Sequence, residues 1–166
     1  MSENVQNDDT PVTSGTILNQ AIESVMDLID ALGLFATITR GALGTGDGLS
    51  CEIGPTSVDT VWMDKHQYIP VDLTINGRNS NLQTLSEAMN TIHESLTMKT
   101  SYPYGNGWEI VDITTLTEPQ MIGREDSNEW LMASALLVKV ATFEKEPEPV
   151  PDPDPTPDPD PEPEEE

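Results

Sequence analysis

The chain has 166 residues, 30 of them acidic against seven lysines and arginines, giving a net charge of −23. That balance, with the basic residues scattered singly, excludes a duplex-binding stripe of clustered Lys and Arg and an anionic-membrane surface alike. The length is that of one domain, no apolar run approaches the ~20 residues of a bilayer span, and the lone cysteine, Cys51, allows no internal disulfide. The N-terminal Met-Ser-Glu-Asn-Val-Gln-Asn-Asp-Asp-Thr lacks the basic and apolar regions of a signal peptide, which favours a cytosolic origin.

Residues 1–15 are polar and predict a disordered segment. From Thr16 to Leu32, apolar residues recur at Ile17, Leu18, Ala21, Ile22, Val25, Met26 and Ile29, with Asn19, Gln20, Glu23, Asp27 and Asp30 opposite. This is the pattern of an amphipathic helix, and Gly33 supplies its C-terminal stop. Leu34–Thr39 is short and β-branched and predicts a strand, which runs into a glycine-rich loop from Arg40 to Gly48. Leu49–Ile53 and Thr60–Met63 predict short strands. Tyr68–Ile75 predicts a longer one, closed by a turn at Asn76-Gly77.

Ser80–Leu96 carries the second helical stripe, Leu82, Leu85, Ala88, Met89, Ile92 and Leu96, and Ser80 with Gln83 has capping-box spacing. Tyr102–Gly107 is loop chemistry, and Trp108–Thr117 is strand-like. Pro119–Trp130 then reads as a polar hairpin tip carrying Arg124, Glu125, Asp126 and Glu129. Residues 129–143 fit either a helical face (Trp130, Ala133, Leu137, Val140) or a buried strand; the Thr-, Ile- and Val-rich run before the tip favours the strand and a hairpin. The architecture expected for residues 16–143 is α+β, two helices on one face of a largely antiparallel sheet. From Glu144 to Glu166 proline alternates with acids, 11 of the 30 acids falling there with one base. Proline lacks the amide donor and like charges repel, so this is an extended, disordered arm.

Catalytic chemistry is not legible. The glycine loop is followed by a strand rather than a helix, carries no Gly-Lys-Ser/Thr, and holds Asp47, which repels phosphate. His66 and His93 have no metal-ligand spacing, and His93 is expected to be a solvated surface side chain. Cys51 has no local basic neighbour or helix terminus to activate it and reads as a small buried side chain. Glu125 and Asp126 are adjacent in an extended segment and point apart, and Asp27 and Asp30 lie on the solvated helix face. Trp62, Trp108 and Trp130 suit core or interface anchors better than ligand stacking. No cofactor, no metal and no enzymatic role are expected. The charged tip is either a solvated turn or recognition surface, since burying unpaired charge there costs several kcal/mol.

Several segments, in order, carry a resemblance. They are Leu-Ile-Asp-Ala-Leu-Gly-Leu-Phe-Ala-Thr-Ile-Thr-Arg-Gly-Ala-Leu-Gly-Thr-Gly-Asp-Gly (28–48), Cys-Glu-Ile-Gly-Pro (51–55) and Ile-Pro-Val-Asp-Leu-Thr-Ile-Asn-Gly-Arg (69–78). Leu-Gln-Thr-Leu-Ser-Glu-Ala-Met-Asn-Thr-Ile-His-Glu-Ser-Leu (82–96), Trp-Glu-Ile-Val-Asp-Ile-Thr-Thr (108–115) and Ile-Gly-Arg-Glu-Asp (122–126) continue it. Across roughly Met26 to Val140 the chain resembles a tailed-phage family usually labelled minor capsid protein, which is similar to the tail terminators, or tail-completion proteins, of long-tailed phages. The proline-acid arm lies outside the family pattern.

The resemblance implies a small α+β subunit of a homo-oligomeric ring, commonly of six, at the head-proximal end of the tail. There it would end tail-tube growth and meet the head connector or stopper, with DNA passing non-specifically through the hole. It would be made in the host cytoplasm and reside in the virion. A head-tail stopper, a tail-tube protein, or a soluble adaptor using the acidic arm are the alternatives. The candidate assembly residues are Arg124, Glu125, Asp126 and Glu129 on the tip, with Arg40, Gly44, Gly46 and Asp47 at the glycine loop.

Overall fold

The computed structural model describes residues 14–55, 60–61 and 67–143. Residues 1–13 of the segment expected to be disordered, the proline-acid arm, Trp62, Met63 and His66 lie outside the described residues, while Ser14 and Gly15 already belong to α1. Helix α1 (Ser14–Asp30) and helix α2 (Leu82–Thr97) pack on one face of a mostly antiparallel seven-stranded sheet, as expected of an α+β chain. The strands are β1 (Ile38–Arg40), β2 (Gly48–Ile53), β3 (Thr60–Val61), β4 (Gln67–Asn79), β5 (Tyr104–Gly105), β6 (Trp108–Arg124) and β7 (Trp130–Thr142). Their order is β1-β2-β4-β7-β6-β5, with β3 also pairing β4. Residues 129–143 therefore resolve as strand: β7 lies between β4 and β6, and period-two burial of Met132, Ser134, Leu136, Val138 and Val140 faces the helices.

The core joins this row to Ile69, Val71, Leu73 and Ile75 of β4 and to both helical stripes. Ala21, Ile22, Val25 and Ile29 of α1 are fully buried, as are Leu85, Met89, Ile92 and Leu96 of α2. Burying such side chains contributes about 1.5–3 kcal/mol each, which is what holds two separate helices on one sheet. Gly33, at φ 65°, ends α1 as its sequence position suggests, and the Asp30 carboxylate accepts the backbone N–H of Ile38 at 2.7 Å. Asp30 is thus exposed yet fixes the entry to β1.

Four local expectations are corrected. The first predicted strand contracts from Leu34–Thr39 to Ile38–Arg40. Asn76-Gly77 is not a turn, because β4 runs unbroken to Asn79. Glycine is required there for packing: a Cβ at Gly77 would lie 2.6 Å from Leu85 Cδ1 of α2. The helix cap is Asn81 rather than Ser80; its Oδ1 accepts N–H groups of Gln83 (2.9 Å) and Thr84 (3.3 Å). Finally, Pro119 does not open the hairpin tip. It sits inside β6, at an irregularity between Thr117 and Gln120 on the outer strand, where a missing N–H is tolerated. The turn proper contracts to the residues between Arg124 and Trp130.

The glycine loop has a topological cause. β1 and β2 run parallel, so the chain must travel back along the sheet between them. Because β1 has only three residues, residues 41–47 suffice for the return, with Gly41 and Gly46 at φ 100° and 82°.

Candidate assembly surface

Strand register brings the two charged segments to the same end of the sheet. Gly48, where the glycine loop enters β2, pairs with Arg78, and Arg78 pairs with Leu131, next to the start of β7. The Arg78 side chain, only 13% exposed, spans the gap between them. Its Nη1 donates to the Gly44 carbonyl, and its Nη2 donates to Glu125 Oε1 at 2.8 Å. Its Nε lies 3.9 Å from Glu129 Oε2. Asp47 holds the loop from a second point, accepting the Ser80 N–H at 2.9 Å just ahead of α2.

The turn is closed by its own bonds. Glu125 N–H donates to the Glu129 carbonyl at 2.8 Å, Asn128 N–H donates to the Glu125 carbonyl at 2.9 Å, and Asn128 adopts φ 72°. Ser127 Oγ donates to Glu129 Oε2 at 2.9 Å. Arg124 donates to Asn128 Oδ1 and lies over the Trp130 ring, 4.9 Å from its centroid, a cation–π contact. The turn thus presents Arg124 and Asp126 outward, while Glu125 and Glu129 turn partly toward Arg78. Adjacent Glu125 and Asp126 play separate parts, but because they lie in the turn and not in the extended segment expected.

Among the sequence-derived candidates, Gly44, Asp47, Glu125 and Glu129 meet through Arg78 and Ser80. Gly46 serves the loop through its backbone conformation. Arg40 stands apart on the edge strand β1, donating to Asn19 Oδ1 of α1 at 2.7 Å. Arg78 was not among the candidates, although it closes the Ile-Asn-Gly-Arg segment. Its partners are 34 and 47 residues away, a separation that no local spacing reveals.

A second feature escapes the sequence reading. Beyond Asp112 the outer side of β6 has no partner strand among the described residues, since β5 meets only Trp108 and Glu109. Along that edge Leu116, Met121 and Ile122 are 53%, 55% and 64% exposed. The pairing of β6 with β7 is broken by irregularities around Leu116, Pro119 and Ile122. Bulges and proline deter indiscriminate edge-to-edge pairing, so this edge offers side chains rather than a clean backbone ladder.

Among the described residues the remaining titratable groups do not gather into a reaction centre. Cys51 is fully buried, and burial pushes its thiol pKa up despite the opposing pull of Arg40. His93 is not solvated as expected: it is 4% exposed between α2 and β6, with Nδ1 3.0 Å from Thr115 Oγ1. Burial lowers its pKa, partly offset by the nearby Glu118 carboxylate. The signal was present, because His93 follows Met89 by four residues on the buried stripe. Trp108 is a core anchor whose Nε1 donates to Gln20 Oε1 at 3.1 Å. Among the described residues there is no grouping of three His, Cys, Asp or Glu side chains suited to a metal, and no helix long and apolar enough to cross a membrane. The depressions beside the glycine loop and the turn, about 260 and 490 Å³, are open to solvent.

No family model and no curated protein matches the chain. Among solved structures, its fold is similar to that of a chain from the virion of a native gene transfer agent particle, with a TM-score of 0.53 at 14% identity. The likeness covers 79% of this chain and 99% of that one, so the α+β body described above corresponds in fold to nearly all of that virion chain.

Proposed function

We propose that this protein is a structural virion component, the subunit of a ring at the head-proximal end of a phage tail, where it ends tube growth and joins tail to head connector. The observation that carries the reading is the β6 edge: three exposed apolar side chains beside a two-signed turn, on a body without a reaction centre among its described residues. The fold likeness to a virion chain and the ordered segments resembling tail-completion proteins both support it. A ring needs a head-to-tail interface, with different patches at opposite ends of one subunit. The sheet has them. Exposed Glu118 and the apolar row lie on β6, while exposed Arg40 lies on β1, the strand at the other margin. The occupant of the β6 edge in this reading is therefore a neighbouring copy. Outside the proline-acid arm, 19 acids stand against six bases, a charge of −13 that also suits a passage for DNA, since like charge keeps the duplex from adhering to the wall.

Replacing Leu116 and Ile122 with aspartate tests this. Sedimentation velocity should show the wild-type chain in a closed oligomer and the variant as a monomer that still unfolds in one cooperative transition, with a midpoint lower only by the stabilisation that assembly itself confers. A wild-type chain that stays monomeric at high concentration, alone and with tube protein, overturns the reading.

A further inference from the structure

The glycine-rich loop and the β6–β7 turn are separate in sequence, yet one guanidinium touches both. We propose that Arg78 is a positioning residue that latches loop and turn into a single docking unit, and that a neighbouring copy recognises this unit as a whole. The second half rests on the ring reading above; the latch itself does not.

Three observations support the latch. Arg78 stands at the end of β4, a strand paired along its full length with β7, so its backbone is fixed. Its side chain is 13% exposed, and among the described residues its ion-pair partners, Glu125 and Glu129, both come from the turn. Its other terminal nitrogen takes the Gly44 carbonyl, which ties the turn to the loop through one planar group. Lysine could not replace it, since an ammonium is a point charge without the guanidinium fork. A loop and turn held before contact lose less freedom on docking than two independent segments would. Asp47, bonded to the Ser80 N–H, gives the loop its second anchor and a backbone amide that reports its attachment.

The distinguishing prediction is communication across Arg78. In the full chain, Arg78→Met and Arg78→Lys should each raise amide exchange about tenfold at Ser80 on the loop side and at Glu125 and Asn128 in the turn. Val71 and Leu73 in the centre of β4 should keep wild-type protection. Glu125→Ala should likewise raise exchange at Ser80, although it alters only the turn. A purely local ion pair would leave Ser80 unchanged in Glu125→Ala, and that result overturns the latch. So would general loss of protection in all three variants. For docking, Arg78→Met should weaken self-association about tenfold or more while core exchange is unchanged. Assembly at wild-type strength would overturn recognition of the joined unit. If wild-type protein does not self-associate, the ring reading and the docking half fall together, while the exchange data still decide the latch.

Discussion

His93 shows how much a single side chain is governed by its surroundings. Packed between α2 and β6 and 3.0 Å from Thr115 Oγ1, it is held neutral because burial disfavours the imidazolium. Its folded pKa lies below the ordinary 6.5, so the unfolded chain binds the proton more readily. Stability from this group is therefore full above about pH 6.5 and falls as pH drops toward the folded value, below which the loss is complete. The difference in unfolding free energy between wild type and His93→Gln should accordingly shrink or reverse between pH 7 and pH 5. Urea titrations at stepped pH would show it, and a difference independent of pH would contradict the assignment. Neither the burial of His93 nor the role of Arg78 followed from residue type. The first was visible in the four-residue spacing from Met89, whereas the second depended on Glu125, 47 residues away.

At the scale of the element, period and punctuation did not carry equal weight. The apolar stripes of α1 and α2 declared themselves, because burial of one face dictates residue type at every repeat, whereas residues 129–143 fitted a helical face as well as the strand they form. Punctuation misled where tertiary contacts reassigned it. Gly77 looked like a turn residue but lets α2 approach β4, and Pro119 looked like a strand end but occupies an irregular stretch of an outer strand. Gly77→Ala should thus behave as overpacking rather than as relief of backbone freedom. The added Cβ, 2.6 Å from Leu85 Cδ1, should cost about 1–3 kcal/mol, read as a lower urea midpoint at unchanged slope. A neutral or stabilising result would mean that α2 can shift away without penalty.

At the scale of the whole molecule, two helices shield one sheet face, and among the described residues no strand pairs with the outer side of β1 or with the outer side of β6 beyond Asp112. The α+β class was legible because the amphipathic patterns fix it. The joined loop–turn surface was not, since it arises from the pairing of Gly48 with Arg78 and of Arg78 with Leu131. The exposed β6 edge was hidden for a related reason: Leu116 read as part of an ordinary strand and Met121 and Ile122 as part of the polar tip until the strand order left them at a margin. Exposed Glu118 on β6 and exposed Arg40 on β1 stand toward opposite margins, as head-to-tail closure needs, and the loop–turn unit lies at one end of the same sheet. Subunits of this kind should close on themselves. Negative-stain electron microscopy of the protein should show uniform rings with a central hole; a field of monomers or of open filaments would rule ring closure out.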